Sequence, residues 1–229
     1  MINPDLLALI TTLKMAALTT FILLLIGTPL AWCLARMQSR FKVIIEAIVA
    51  LPLVLPPTVL GFYLLIAFSP EHLPGQLWQQ ATGQQLAFSF SAIVIGSVLY
   101  SMPFVVQPLQ KAFEQLGEPL LEAAAVLGAS AIDRFFNIVL PMTKASFITA
   151  ASLGFAHTLG EFGVILMIGG NIPGETRVLS IALFDHVEAF DYAKAHILAI
   201  SLLAGSMILL ASIYLLNSPR RKQNSGAKK

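Results

Sequence analysis

Five stretches of the chain are apolar over about a span's length each, at 13–34, 44–68, 90–109, 147–168 and 195–216. A helix rising about 1.5 Å per residue needs roughly 20 apolar residues to cross a hydrocarbon core of about 30 Å. Each stretch therefore predicts a membrane-spanning helix, and the fold class is all-α, a polytopic membrane protein. The first stretch is too long and uninterrupted for the core of a cleaved signal peptide, and a second follows directly, so it reads as a retained anchor. Whether a further short helix lies at 4–13 is open on the sequence.

Composition agrees with this pattern. Hydrophobic residues make up 57% of 229 positions and charged residues 11%, where a soluble domain carries about 25% charged. A net charge of +2 gives no reason to expect a nucleic-acid partner. The single cysteine, Cys33, excludes a disulfide framework and a CxxC site. Basic residues matter here through position. Arg36, Arg40 and Lys42 follow the first stretch, Lys111, Arg134 and Lys144 lie between the third and fourth, and Arg220, Arg221, Lys222, Lys228 and Lys229 follow the fifth. Residues 69–89 contain none, and 169–194 contain only Arg177 and Lys194 against Glu175, Asp185, Glu188 and Asp191. Lys and Arg are retained on the cytoplasmic side. The N-terminus is thus expected outside, with the 111–145 loop and the basic tail at 217–229 in the cytoplasm.

That loop holds the most informative segment. Gly117-Glu118-Pro119 opens a helix of about 119–127, proline being tolerated in a first turn, and Gly128 closes it where a left-handed residue is wanted. Ser130, three residues before Asp133, is a capping-box-like start for a second helix, with Ile132, Phe135, Phe136 and Val139 along one face until Pro141 ends it. The product is a helix, a glycine elbow and a second helix. Such a finger can lie in the headgroup layer or dock into a groove on a partner. Docking is favoured by the small Ala123-Ala124-Ala125 run and by Glu122, an anion able to pair with a partner's cation.

The spans carry polar and helix-breaking residues of their own. Pro52, Pro56 and Pro57 in the second and Pro103 and Pro108 in the third each remove a backbone donor, so these stretches should face protein or a wet path rather than lipid. They read as packing kinks or as a pathway wall. His157 and Glu161 are four residues apart, hence on one face of an unbroken helix. Three readings stand for them: a structural or gate-forming hydrogen bond, a pathway role, and proton or metal chemistry, for which two ligands are too few. Span interiors lack Arg and Lys, whereas Ser97, Ser101, Ser152 and Thr158 supply hydroxyls. Weak binding along a route is what conduction of an anion requires. The pathway or gate candidates are therefore Pro56, Pro57, Ser97, Ser101, Thr158 and Glu161.

Glu122, Ala123, Gly128, Ile138, Leu140 and Pro141 match, position for position, the EAA loop of importer-type ABC permeases. The run at 51–61, Leu159-Gly-Glu-Phe-Gly163 and Gly170-Asn-Ile-Pro-Gly-Glu-Thr-Arg177 resemble the permease subunits of molybdate ABC importers, over about residues 8–216. The last two segments are shared with sulfate and tungstate branches. The resemblance implies the type I importer permease fold and an ATPase-coupling role for Glu122, Ala123, Ala124, Gly128, Ile138, Leu140 and Pro141. It also implies a homodimer in the inner membrane, two ATP-binding subunits below it, and an external binding protein that delivers a tetrahedral oxyanion. No Walker A loop occurs in this chain, so ATP and Mg are expected on the partner ATPase and no cofactor here. Without GxSxG or HExxH, hydrolysis within the membrane has no motif, and the chain is not expected to be an enzyme. A secondary transporter would show repeated halves and intramembrane ion ligands, and a membrane assembly factor would not need the EAA spacing.

Overall fold

A computed structural model describes residues 3–217, all of whose regular structure is helical. The predicted basic tail lies outside these residues apart from Asn217. Helix α1 (Pro4–Arg36) starts where the Asn3 side chain accepts the Asp5 N–H at 3.0 Å. It absorbs residues 4–13, so no separate short helix precedes the first span. Thr11, Thr12 and Thr20 return their hydroxyl protons to carbonyls four residues back, at 3.0, 2.8 and 2.7 Å, which satisfies these three donors in an apolar setting.

The second apolar stretch is not one helix. Helix α2 (Phe41–Ala50) runs into a single tight turn at Leu51–Leu53, and α3 (Pro57–Phe68) departs at 108° to it. The cause is the proline cluster. Pro57 occupies the first turn of α3, where its missing N–H costs nothing, and it holds Pro56 in an extended conformation that cannot continue a helix. A short helix α4 (Leu73–Thr82) follows, ended by Gly83 in the left-handed region.

Helix α5 (Phe90–Leu116) is the axis of the bundle, with α1 and α8 (Leu140–Leu159) packed along it. Pro103 and Pro108 lie inside it without breaking it. Burial explains the difference from α2–α3: Pro103, Val105, Val106 and Leu109 are enclosed by neighbours that keep the helix continuous, whereas Leu51, Val54 and Pro56 are exposed. Close approach of α8 depends on Gly154, where a Cβ would stand 2.8 Å from a Val105 methyl.

The fourth stretch also differs from expectation. Helices α6 (Glu118–Val126) and α7 (Ala131–Arg134) form the predicted finger, but Pro141 does not end the second of them. A π-helical turn at Phe135–Val139 carries α7 directly into α8, and residues 131–159 form one 29-residue rod. Widening the turn ahead of Pro141 accommodates a residue that has no N–H to give and whose ring crowds the preceding turn. The rod ends at Leu159. After a break at 160–162 the chain continues as α9 (Gly163–Gly169), then α10 (Leu179–Glu188) and α11 (Tyr192–Asn217). Among the described residues four helical segments are long and apolar enough to cross a membrane, and the bent α2–α3 pair makes a fifth when counted as one span.

Candidate functional site

The finger is built by its end groups. Helix α6 closes with Ala129 N–H on the Ala124 carbonyl at 3.0 Å and Gly128 N–H on the Ala125 carbonyl at 2.9 Å. This paired closure requires a left-handed residue at Gly128, whose φ is +89°. Two residues on, the Ser130 hydroxyl accepts the Asp133 N–H at 3.1 Å and starts α7. The elbow is therefore fixed by hydrogen bonds local to residues 124–133. At its tip Val126 and Leu127 are each 87% exposed, and Ile132 and Phe136 stand out beside them. Glu122 and Ala123 are exposed as well, and Glu122 has no partner among the described residues. An apolar tip with an unpaired anion beside it is a surface suited to a partner.

The other named positions of the loop lie in its stem. Ala124 is half-buried, Ile138 and Leu140 turn partly towards the α1–α5 core, and Pro141 is exposed past the π turn. The single apolar face expected of α7 is thus divided, with Ile132 and Phe136 outward and Phe135 and Val139 inward.

A brace at the base of the finger was not legible in the sequence. Arg36 Nη1 bonds Glu118 at 2.9 Å while its guanidinium lies 4.4 Å from the Trp32 ring centre. Trp32 in turn meets Phe113 and Phe135 edge-on, at 5.2 and 5.8 Å. Arg134 Nη1 donates to the Leu121 carbonyl at 3.2 Å, tying α7 back to α6. On the far side Lys42 bonds Glu114 at 3.0 Å, and Gln110 joins Glu46 at 2.5 Å and Glu114 at 3.0 Å. Each exposed pair contributes only about 0–1 kcal/mol, and the cation–π contact about the same. Their effect is geometric: they tie α1 to the base of α6, α7 to α6 and α2 to α5. On sequence, Arg36 and Lys42 signalled only membrane orientation.

The intramembrane candidates meet at the α5–α8 contact. Ser101 Oγ lies 2.8 Å from His157 Nδ1 and 3.2 Å from Thr158 Oγ1, and Thr158 gives its own proton to the Gly154 carbonyl at 2.9 Å. His157 stacks on Phe104 with centroids 4.1 Å apart and also touches Tyr100. Ser97 sits one turn away, 3.8 Å from the Met15 sulfur and facing the Glu161 carboxyl group. Glu161 is not on the face of α8. It lies in the break between Gly160 and Phe162, so the four-residue spacing from His157 does not place the two on one helical face. Its backbone is held by Thr158 and by the Ser180 hydroxyl, but neither carboxylate oxygen has a hydrogen-bond partner among the described residues. Pro57 packs close against Gly163, while Pro56 is exposed at the bend.

Ser97, Ser101, Thr158 and Glu161 are all buried within the subunit, and none lines an opening in this conformation. A recess with polar groups on one wall opens between α2 and α5. It holds about 540 Å³ and is lined by Glu46, Gln107, Gln110 and Lys111 beside Phe104 and Leu153. Gln107 was missed on sequence because an amide inside an apolar stretch carries no charge to draw attention to it.

Residues 24–222 match the model of the binding-protein-dependent transport system inner membrane component. The chain belongs to that family. This permease family accounts for a multi-pass chain of the inner membrane with a structured loop between its spans. The molybdenum transport system permease protein ModB of Azotobacter vinelandii is 56% identical over 210 residues, 92% of this chain and 93% of the relative. The Escherichia coli K12 protein of the same name is 32% identical over 96% of this chain and 97% of its own. The sulfate transport system permease protein CysT of Synechocystis is 35% identical over 86% of this chain and 68% of its own. Among solved structures, a bacterial alginate ABC transporter in complex with a pentasaccharide-bound periplasmic protein overlays with a TM-score of 0.74 at 16% identity. That overlay covers 97% of this chain and 80% of that one. It is a likeness of fold, and it gives this chain the architecture of an ABC importer permease.

Proposed function

We propose that this chain is the membrane permease subunit of an ATP-driven molybdate importer. The observation that carries the reading is the 56% identity to a molybdenum permease over nearly the full length of both chains, against 35% to a sulfate permease over 68% of that relative. A second copy of the chain completes the pathway, two ATP-binding subunits carry ATP and Mg, and an external oxyanion-binding protein delivers the substrate. Substrate crosses by alternating access, and catalysis of hydrolysis belongs to the partner.

The coupling residues act as a lever. Glu122 and Ala123 meet the ATP-binding subunit, and Gly128 holds the elbow at the angle that presents them. Ile138, Leu140 and Pro141 join the finger to α8. Because 131–159 is a single rod, a push on the tip is delivered to the α5–α8 contact and to the break at Glu161. The Ser101, His157 and Thr158 cluster sits along that contact and can break and re-form as the rod tilts, which makes these residues part of a gate.

The substrate assignment is tested in vesicles holding the permease and its ATP-binding subunit. Molybdate-loaded binding protein should raise ATP hydrolysis, and free molybdate should do little. Stimulation by sulfate-loaded but not molybdate-loaded binding protein transfers the assignment to the sulfate branch, and a tungstate-only response to the tungstate branch.

Orientation is a separate prediction. The Lys and Arg asymmetry supports an external N-terminus and a cytoplasmic C-terminus. A reporter after Lys229 should read cytoplasmic, and cysteines placed at Glu71 and Pro173 should react with an impermeant reagent from outside. An external C-terminus would show that the α2–α3 pair re-enters instead of crossing.

A further inference from the structure

An apolar groove of about 1060 Å³ lies between α1 and the α7–α8 rod, running up to the finger beside its tip and apart from the buried Ser101–His157 cluster. Phe21, Leu25, Pro29, Trp32 and Arg36 line it along α1. These positions form one helical stripe, about 22 Å from end to end at roughly 1.5 Å per residue. That is somewhat more than one leaflet of hydrocarbon, about 15 Å, or half the usual core. Chemistry changes in order along the stripe. Phe21 and Leu25 form its apolar end and are exposed, while Trp32 and Arg36 lie towards the other end, which Arg134 of the finger also lines.

The two arginines are not saturated. Arg36 gives Nη1 to Glu118, and its Nη2 is enclosed from solvent with no hydrogen-bond partner among the described residues, so it reaches a headgroup only if the side chain shifts. Arg134 gives Nε to the Ser130 carbonyl and Nη1 to the Leu121 carbonyl, which leaves its Nη2 available. The facing acid is Glu118, already engaged with Arg36. An open apolar groove with cationic side chains at one end is arranged as an anionic phospholipid is, tail to headgroup. Basic pockets between membrane helices bind such headgroups. A water-soluble partner would have to present apolar groups at membrane depth to fill the same space.

We infer that this groove binds one anionic phospholipid of the surrounding leaflet, with its acyl chains against Phe21, Leu25 and Phe136 and its phosphate at Arg36 and Arg134. Ile132, Phe135 and Phe136 form the opposite wall, so the lipid props the finger's stem against α1 and ties coupling to the anionic lipid content of the membrane. This goes beyond the transport reading and requires only that the finger meets a membrane surface.

The test uses the full chain with its ATP-binding subunit in nanodiscs that mix phosphatidylglycerol and phosphatidylcholine. Native mass spectrometry then counts retained lipid. Phosphatidylglycerol should be retained in preference, and Arg134→Gln should reduce that preference roughly fivefold, the weight of one cation near a headgroup. Arg134→Lys, which keeps the charge but not the bonds to the finger's backbone, should preserve it; loss with Lys as with Gln would assign Arg134 a purely structural role and overturn the headgroup contact. Leu25→Trp, which fills the slot, should displace retained lipid of either headgroup. A photo-crosslinker at Leu25 should label phospholipid. Equal retention of the two lipids, an unchanged preference in Arg134→Gln, or crosslinks to a second copy or to the ATP-binding subunit would each overturn the inference.

Discussion

Gly128→Pro and Glu122→Lys are each expected to leave the permease folded in the membrane while lowering binding-protein-stimulated ATP hydrolysis and uptake roughly tenfold or more. A loss of that size needs only about 1.4 kcal/mol of docking free energy. Gly128 has φ of +89° and donates its N–H to Ala125. Proline holds φ near −65° and has no N–H, so the variant loses the backbone closure and swings the tip away from its partner. Nothing else depends on that corner, since a Cβ at Gly128 meets no atom within 4 Å. Gly128→Ala therefore isolates the backbone effect, roughly 1–2 kcal/mol for a left-handed non-glycine residue, and should be intermediate. Glu122 is exposed and has no partner within the described chain, so reversing its charge should change stability by no more than about 0.5 kcal/mol. Stimulated hydrolysis and uptake at unmodified levels in both variants would remove the finger from the coupling path. Disappearance of either variant from the membrane fraction would make the corner a folding element instead.

The finger was legible because its determinants are local. A glycine at a helix end and a serine three residues before an aspartate dictate hydrogen bonds within one turn, and Gly128 and Ser130 make those bonds. Prolines were less legible because a missing N–H does not say how neighbours respond. Pro56 and Pro57 break a segment that little supports, Pro103 and Pro108 sit inside a helix that α1 and α8 keep continuous, and Pro141 is absorbed by a π turn. The reading of His157 with Glu161 assumed an unbroken helical period. Gly160 and Gly163 on either side of Glu161 were the signal that the period stops there. Ser97, Ser101 and Thr158 were identifiable as hydroxyls in apolar surroundings, but whether such a group faces a path or a neighbouring helix is decided by contacts distant in sequence. The brace had no local signature at all, since Arg36 and Glu118 are 82 residues apart.

Glu161 gives the second large effect, with opposite signs for two substitutions. The residue is 5% exposed and neither carboxylate oxygen has a hydrogen-bond partner among the described residues. Its structural contacts run through the backbone, from its N–H to the Thr158 carbonyl and from the Ser180 hydroxyl to its own carbonyl. Glu161→Gln keeps those contacts and the side-chain shape, and its amide oxygen can still accept from the facing Ser97 hydroxyl. Its thermal unfolding midpoint should equal or exceed that of the unmodified protein, with uptake preserved. Glu161→Lys brings a cation to a place with no acid to meet it, at about 2.5–3.5 kcal/mol on insertion scales, and adds length to a packed site for roughly 1–3 kcal/mol more. Against total stabilities of about 5–15 kcal/mol, the sum removes a large share of what holds a domain folded. Detergent-soluble, folded Glu161→Lys protein should therefore fall to a small fraction of normal yield. A well-folded Glu161→Lys variant would mean that water reaches the break between α8 and α9. A folded Glu161→Gln variant without uptake would make the carboxyl group itself a participant in translocation.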